Sequence, residues 1–522
     1  MLTHKIMNKL ALLVFALLTS FSSFAQNGTL EPTRQDITIG KNLVTNQEIH
    51  ATKITFPCFV SQWQGDTTNQ NILLQLRYLT NTGKYFKNKG YIGVYNDKSQ
   101  SMLWAQQTNN FDVKLSGGAI LQRVGNNTQR LSSENGKVVW ENATAIYYVD
   151  PKTKIGLAYP IVNPSASNVN TLMGINMANG STFWSHEVNR DFGWNSLTNM
   201  DDTSKLIVSS GLHLLNSSTG HGWDYKAITG VKEYSAQPVT LAAGITLGLA
   251  TGIMLVPTGQ NIVHDIASNL VEKNNLLYFA SKESIACIDL KGNVVWQTTL
   301  PKKLTSKSTL VIENEVVYLI NRGFAYQNNR LMEFGQPFIA SFNLINGQQN
   351  YMTEFEKENQ INAYYVHGNS LILVFPHKLA SYNLSTGSLV DEKPLTENLY
   401  GELAYFLGNQ AFVEREDSTF IALNATDTTR HFLYTSTGRI LTIDDNLKVD
   451  NQHNITEIYV NYLSAMGFNF LVKGSSTIVT NRQGEAIAIL DAPSNAVLSG
   501  TTLRYAQDNS LIEIDLSSLL KP

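Results

Sequence analysis

The chain has 522 residues, of which 43% are hydrophobic, 10% aromatic and 16% charged. Its formal net charge is −3, so no overall positive field would attract nucleic acid or an anionic membrane. Typical domains contain roughly 25% charged residues, and the lower fraction here favours a sheet-rich body whose surface is polar through Asn, Ser, Thr and Gln.

Residues 1–25 have the pattern of a secretory signal peptide. A weakly basic start precedes an apolar run over 10–18, and small polar residues then lead to a cleavage position after Ala25. The apolar run is too short to span a bilayer. Since no cysteine lies near the cleavage position, we expect 26–522 to be exported, periplasmic or secreted, without a lipid anchor. An uncleaved N-terminal anchor is the alternative.

The two cysteines, Cys58 and Cys287, are 229 residues apart and lie in unrelated sequence contexts. We therefore expect both to be small buried side chains, although an oxidising compartment would also permit a disulfide.

A short phrase in which an aromatic residue follows glycine by four positions recurs along the chain. Three copies read LSSENGKVVW, INMANGSTFW and CIDLKGNVVW. The repeated pairs are Gly136/Trp140, Gly180/Trp184, Gly292/Trp296 and Gly347/Tyr351, the last with tyrosine in place of tryptophan. Such self-similarity indicates a repeated supersecondary unit.

The copy around Gly292 predicts three strands, at 276–280, 285–290 and 294–299, separated by tight turns. Glycine suits the second turn because one position there requires a positive φ. Tryptophan suits the third strand because its large flat ring can cover the gap between stacked sheets.

The repeat has the period of a four-stranded propeller blade. Gly136, Gly180 and Gly220 are 44 and 40 residues apart, and Gly347 and Gly387 are again 40 apart. The sequence therefore predicts an all-β fold, a single β-propeller over 26–522 with eight blades, or seven as the next choice. We expect a strand from 35–60 to pair with 502–516, where the final strand is 511–516, and so to close the ring.

Two segments interrupt the period. The first, 239–256, has no charged residue and contains Gly244, Leu247 and Leu249. It is interpreted as a buried hairpin or plug, with a lipid- or partner-contacting loop or a membrane span as alternatives. The second is a polar loop at 322–336, displayed on one rim, in which Phe324 and Tyr326 are candidate partner contacts.

The apolar strand, the Asp/Asn–Gly turn and the tryptophan-bearing strand resemble the quinoprotein-type propeller repeat of the PQQ-like family. The strongest matches are NMANGSTFW at 176–184 and DLKGNVVW at 289–296. One branch of that family holds pyrroloquinoline quinone and calcium in dehydrogenases. Another is non-catalytic and includes a lipid-anchored scaffold for outer-membrane assembly. The resemblance covers most of 90–516 and identifies a blade rather than a cofactor site.

The sequence contains no recognisable catalytic motif. There is no adjacent cysteine pair, no haem-binding CxxCH and no nucleophile elbow or phosphate loop. The acidic pairs Asp201/Asp202 and Asp444/Asp445 are typical of solvated turns rather than of calcium ligands. His213 and His221 form a loose pair, which more often indicates ordinary surface or core histidines than zinc ligands.

These observations favour a non-enzymatic exported propeller that acts as an interaction scaffold in the cell envelope, with no catalytic, cofactor or metal residues. The expected partner is an envelope protein, with peripheral membrane contact through 239–256, no nucleic acid and a monomeric state. The alternative is a propeller that binds or cleaves a glycan or small ligand, and a quinone-dependent dehydrogenase ranks last.

Overall fold

The structure is a computed structural model that describes residues 30–517 and 519 with internal gaps. The gaps are 67–69, 162–169, 191, 233–261, 329, 395–403, 409, 415–419, 425–429, 436–438, 445–446, 448, 455–456, 474–475 and 482–484. The predicted signal peptide and the apolar segment 239–256, with Gly244, Leu247 and Leu249, lie outside the described residues. All regular secondary structure in the described residues is β-strand, and none of them forms a helix able to cross a membrane.

The chain divides into two compact units. The first comprises Met1–Gly40, Glu48–Asn142 and Asn495–Pro522, and the second comprises Lys41–Gln47 and Ala143–Ser494. Strand β1 (Thr33–Asn42) begins in the first unit.

The first unit contains two complete four-stranded sheets. They are β3 (Phe59–Asp66), β4 (Asn71–Leu79), β5 (Phe86–Asn96) and β6 (Ser101–Thr108), followed by β7 (Val113–Ser116), β8 (Ala119–Val124), β9 (Asn127–Leu131) and β10 (Val138–Asn142). In this unit β2 (Glu48–Thr55) also pairs antiparallel with the last strand of the chain, β47 (Ser510–Asp515), so that Ile54 lies opposite Leu511. Two further strands continue from β47, namely β46 (Thr502–Gln507) and β45 (Val497–Ser499).

The second unit repeats the same antiparallel design. Its first two sheets are β11 (Thr144–Val149), β12 (Ile155–Pro160), β13 (Thr171–Asn176) and β14 (Thr182–Glu187), then β15 (Ser196–Asn199), β16 (Ser204–Ser209), β17 (Gly211–Asn216) and β18 (Gly222–Lys226). The next are β21 (Val271–Lys273), β22 (Leu276–Ala280), β23 (Ser284–Asp289) and β24 (Val294–Thr299), then β25 (Ser308–Glu313), β26 (Val316–Asn321), β29 (Phe338–Asn343) and β30 (Gln349–Glu354). A further sheet is β31 (Ala363–His367), β32 (Ser370–Val374), β33 (Lys378–Asn383) and β34 (Leu389–Pro394).

The last part of the second unit is less regular. One sheet is β35 (Ala404–Gly408), β38 (Arg430–Thr435), β39 (Arg439–Asp444) and β40 (Val449–Asn454). The following strands are β41 (Glu457–Ala465), β42 (Phe468–Lys473), β43 (Ser476–Thr480) and β44 (Ala486–Leu490). A hairpin of β36 (Gln410–Glu414) and β37 (Phe420–Asn424) is inserted between β35 and β38 and extends this last group at β41.

One four-stranded sheet, which we call the composite sheet, is assembled from two insertions. Its strands are β19 (Gly230–Lys232), β20 (Ile262–His264), β27 (Phe324–Gln327) and β28 (Arg330–Glu333), in that order. The expectation of a polar loop at 322–336 is therefore wrong. Because β27 finds an open partner in β20, its backbone groups are satisfied in a sheet rather than by water.

The middle strands of the regular sheets are mostly apolar and buried, whereas most residues of their outer strands are exposed or half-buried. All six residues of β12 are buried, as expected for a strand covered on both faces. The outer strands β14 and β24 have the same alternating burial, and their tryptophan is the buried position. The predicted strands around Gly292 correspond to β22, β23 and β24.

The prediction of an all-β fold of four-stranded propeller-type blades is confirmed. The number of blades and closure into a ring stay predictions. Cys58 and Cys287 are both buried and neither forms a disulfide, so the expectation of two buried thiols is confirmed.

Candidate functional site: the composite sheet

The repeated glycines and aromatic residues meet between consecutive sheets rather than within one repeat. Trp184 on β14 donates its indole N–H to the carbonyl of Ser217 in the next sheet, at 2.8 Å. Its ring lies against Gly220, where an added Cβ would be 2.6 Å from the ring. We call this arrangement the aromatic clasp.

Among the described residues, the aromatic clasp recurs in four further pairs. Its indole or phenol donates to a turn carbonyl, and its ring covers a positive-φ glycine of the following sheet. The other pairs are Trp104 with Ser133 and Gly136, Trp223 with Leu290 and Gly292, Trp296 with Leu344 and Gly347, and Tyr351 with Leu384 and Gly387. Gly136, Gly292 and Gly347, three of the predicted glycines, therefore each receive the ring of a preceding sheet.

Two other predicted repeat residues, Gly180 and Trp140, have the following local settings. Gly180 has a φ of 76° and donates its N–H to Asn176, which closes the turn between β13 and β14. Trp140 on β10 is buried, with 8% of its surface exposed.

The composite sheet is additional to the regular four-stranded sheets of the second unit. Residues 233–261, which lie outside the described residues, separate β19 from β20 in the sequence. Val263, Ile266, Ala325 and Met332 form the small buried core of the composite sheet. Its two outer strands expose Lys232 and Arg330 to solvent.

The two sequence-predicted contact residues of this region have different surroundings. Phe324 is only 4% exposed, so its assignment as an open partner contact is wrong. The cause is its edge-to-face packing on Tyr326, at a centroid distance of 5.9 Å. Tyr326 is half-buried and stacks on His264, with centroids 6.1 Å apart.

Cationic side chains lie over this aromatic group. The Lys307 ammonium is 5.7 Å from the centre of the Tyr326 ring and forms an ion pair with Asp265. The Arg322 guanidinium lies 4.8 Å from the Phe324 ring and 5.9 Å from the Tyr364 ring. Arg322 also donates to the carbonyls of Ile361 and Asn362, so it ties β27 to the segment that precedes β31.

Burial disfavours charge on two of these groups. It lowers the pKa of the Arg322 guanidinium from its ordinary value, although arginine stays protonated. It also lowers the pKa of His264, an effect that Asp265 opposes and Lys307 reinforces. His264 is therefore a neutral ring at pH 7, which suits its stacking on Tyr326.

A second polar cluster in the same unit involves residues that sequence reasoning only partly identified. Asp224 accepts from His213, at 2.7 Å, and from His186, at 3.1 Å, and the other ring nitrogen of His213 lies 3.3 Å from the Ser210 hydroxyl. Burial alone would raise the pKa of Asp224, but hydrogen bonds from the two histidines lower it below its ordinary value.

This cluster joins β14 to β17 and β18, and His213 is only 2% exposed. A ring enclosed to that degree suits a structural hydrogen-bond network. His221, by contrast, is exposed in a turn, so the structure separates the loose histidine pair into different environments. Asp224 was missed because a lone aspartate carries no sequence signal until strand register brings it opposite His213.

The acidic pair at 201–202 belongs to a turn. Asp201 accepts hydrogen bonds from the backbone of Thr203 and Ser204, which lower its pKa to about 2. Asp202 pairs with Lys152 on the surface. Asp445 and the side chain of Asp444 lie outside the described residues. Within the described ranges, His, Cys, Asp and Glu form no group of three suited to a metal ion.

Comparisons with known proteins give structural likeness only. No family model and no curated protein sequence matches the chain. Similar solved structures include BamB from Moraxella catarrhalis, with 13% identity, a TM-score of 0.32, and coverage of 76% of this chain and 98% of that one.

Two others are AztD from Citrobacter koseri and the dihydro-heme d1 dehydrogenase NirN. AztD has 8% identity and a TM-score of 0.29, with 71% of this chain and 94% of that chain covered. NirN has 11% identity and a TM-score of 0.28, with 66% and 71% covered. Similarity at these scores carries no information on activity or partners.

Proposed function

We propose that the chain is an exported, non-enzymatic scaffold of the PQQ-like propeller type that binds an envelope protein. The regular sheets hold the body rigid, and the composite sheet presents the binding surface. The observation that carries the proposal is that two separate insertions combine into one ordered sheet that the repeat itself does not need.

Ordering a sheet has a conformational cost of about 1–2 kcal/mol per residue for the backbone alone. The small core around Val263 and Met332 offsets only part of that cost. The cation–aromatic contacts of Arg322 and Lys307 add further stabilisation to the same hairpin. A sheet held in this way, with charged outer strands, is suited to presenting a fixed surface to a partner.

The chemistry of the described polar clusters supports a binding role over catalysis. His213 is enclosed, and His264 is a buried neutral ring that stacks on Tyr326. The His213 ring lies beside the Ser210 hydroxyl and Asp224, but at 2% exposure it is closed to a substrate, whereas a general acid or base must reach the proton it transfers.

Site-specific photocrosslinking in the cells that naturally produce the protein tests the proposal. A photoreactive residue at Lys232 or Arg330 is expected to give one discrete adduct with the same envelope protein. The matched control is Lys291, an exposed turn lysine in a regular sheet of the same unit. Adducts at Lys291 but none at the two composite-sheet positions would move the binding surface elsewhere. Turnover of quinone-linked dyes by the purified protein would contradict the non-enzymatic assignment.

A further inference from the structure

The hairpin of β4 and β5 in the first unit is strongly basic in an otherwise slightly acidic chain. Between residues 71 and 96 there are four basic residues, namely Arg77, Lys84, Lys87 and Lys89, and no Asp or Glu. The whole chain has a net charge of −3, so this concentration of positive charge is local.

The same hairpin exposes aromatic rings. Tyr78 is 36% exposed, Phe86 is 41% exposed and Tyr85 is 72% exposed. Exposed rings beside exposed lysines provide flat apolar surfaces and positive charge at one place, a combination that favours ligands with both a ring face and an anionic group.

A cleft of about 400 Å³ lies near the turn end of this hairpin, and its volume is within the usual size of small-ligand sites. The residues that line it include Phe59, Tyr78, Gln107, Lys87 and Lys89. None of the residues that line the cleft is acidic. The cleft therefore combines two aromatic residues, one neutral hydrogen-bonding group and two positive charges.

The two lysines of the cleft are available to a ligand. Lys87 contacts the side-chain oxygen of Asn81 at 3.3 Å, which leaves its charge uncompensated. Across the residues that the structure describes, neither Lys87 nor Lys89 takes part in an ion pair. An anion placed between them would gain charge-assisted hydrogen bonds without breaking an existing pair.

The wall that carries these lysines is held in place by Arg77. Its guanidinium donates to the Lys87 carbonyl and to the Asn88 side chain, at 3.0 and 2.8 Å. It also lies 4.7 Å from the Phe111 ring. Arg77 is therefore a positioning residue that fixes the strand on which both lysines stand.

Tyr78 is a neutral hydrogen-bonding group in this cleft. A hydrogen bond with Tyr91, together with burial and a hydrogen bond with Cys58, raises the pKa of its hydroxyl above the ordinary value. Burial likewise raises the pKa of the Cys58 thiol, which stays protonated at neutral pH. Tyr78 and Cys58 thus add no negative charge to the cleft that would repel an anion.

We propose that this cleft binds an acidic oligosaccharide whose sugar rings pack on Tyr78 and Phe59 and whose carboxylates pair with Lys87 and Lys89. A concave site of this size favours a chain ligand over a bilayer, because a planar membrane meets convex surfaces. The site is separate from the composite sheet, and its occupation does not depend on the scaffold role.

Calorimetric titration of the full chain with a short oligogalacturonide tests the proposal. The matched ligand is the fully methyl-esterified oligogalacturonide, which has the same rings without the charge. The acidic form is expected to bind, with affinity that falls steeply from about 50 to about 500 mM salt. The ester is expected to bind at least about tenfold more weakly, since the charge-assisted contacts are lost.

The variant Lys87→Gln/Lys89→Gln is expected to lose roughly tenfold or more in affinity for the acidic form. The control variant Lys98→Gln/Lys137→Gln removes the same charge from two other exposed lysines of the same unit and is expected to bind as wild type. All four lysines are exposed, so the fold is retained, which circular dichroism checks.

A third arm uses vesicles containing phosphatidylglycerol. Binding to vesicles that requires Lys87 and Lys89, without binding to the oligogalacturonide, would overturn the proposal in favour of a membrane surface. The proposal would also be overturned if the acid and its ester bound equally, or if neither bound. The same holds if the two double variants lost equal affinity for the acidic form.

Discussion

The regular sheets and the composite sheet differ in the size of their buried hydrophobic cores, although both are four-stranded and antiparallel. The core cluster shared by the sheet β21–β24 and the sheet of β25, β26, β29 and β30 contains 13 buried hydrophobic residues, and the core cluster of the composite sheet contains four. Regular sheets also share aromatic clasps and buried polar contacts. Regions with few buried apolar contacts open at lower free energy, and binding elements are commonly drawn from them. The difference separates the part that gives rigidity from the part suited to interaction.

The largest loss of stability is expected when a buried charge pair is removed from the regular sheets. Lys205 and Asp150, which are 2% and 1% exposed, pair at 3.1 Å between two consecutive sheets. Lys205→Met is expected to lower the free energy of unfolding by about 3–5 kcal/mol, because it leaves the Asp150 charge buried and uncompensated. Urea denaturation measures the loss. Lys152→Met, which removes a surface pair with Asp202, is the control and should cost about 0–1 kcal/mol.

The same pair has a defined pH dependence. Burial alone would raise the pKa of Asp150, but hydrogen bonds from Lys152, Ser217 and Lys205, together with the Lys205 charge, lower it below its ordinary value. Its contribution to stability is therefore complete above the unfolded pKa of about 3.9 and is lost as pH falls through the lower folded pKa. An equal penalty for Lys205→Met at neutral pH and in strong acid would contradict this account.

A smaller effect is expected from the glycine of an aromatic clasp. At Gly347, φ is 69° and an added Cβ would be 2.3 Å from the Trp296 ring. Gly347→Ala should cost about 3 kcal/mol, from about 1–2 of backbone strain and the rest from overpacking. Gly368, with a φ of 55° and no atom within 4 Å of an added Cβ, is the matched control. If Gly368→Ala costs as much in the same denaturation experiment, the ring contact is not the cause.

Removing only the hydrogen bond of the clasp is expected to have a smaller effect. Trp296→Phe keeps a ring against Gly347 but loses the donation to the Leu344 carbonyl, which measures 3.0 Å. The expected cost is about 1 kcal/mol, the usual net value of one hydrogen bond, plus a small packing loss. Tyr351→Phe removes the equivalent donation to Leu384 and should match it in urea denaturation. A loss of several kcal/mol from either variant would show that the ring does not remain in place.

The smallest effect is expected in the composite sheet and concerns its response to pH. Burial lowers the pKa of His264, so its neutral form stabilises the sheet above the unfolded pKa of about 6.5. That contribution decreases as pH falls from 6.5 through the folded pKa. Hydrogen-exchange protection of β20 should therefore fall on mild acidification, while protection of β22 stays constant. In His264→Gln the pH dependence should disappear, and its persistence would assign the effect to another group.

Local sequence was sufficient for the strands and turns of the repeat, because alternation and turn chemistry act over a few residues. Trp296 and Gly292 were recognisable as structural positions for this reason. What they contact was not recognisable, since Trp296 covers Gly347 of the next sheet and Gly292 receives Trp223. The candidate cleft of Lys87, Lys89 and Tyr78 also escaped sequence reasoning, because exposed lysines without a motif look like ordinary surface.

The all-β class, the four-stranded unit and the burial of both cysteines can be predicted from residue type and short spacing alone. The positions of the irregular segments depend instead on long-range strand pairing in the folded chain. Phe324 and Tyr326 read as loop residues because their strand partner, β20, is about 60 residues away in sequence and follows a long insertion. Pairing at that separation depends on which sheet edge is open in the folded chain, and no local pattern encodes it.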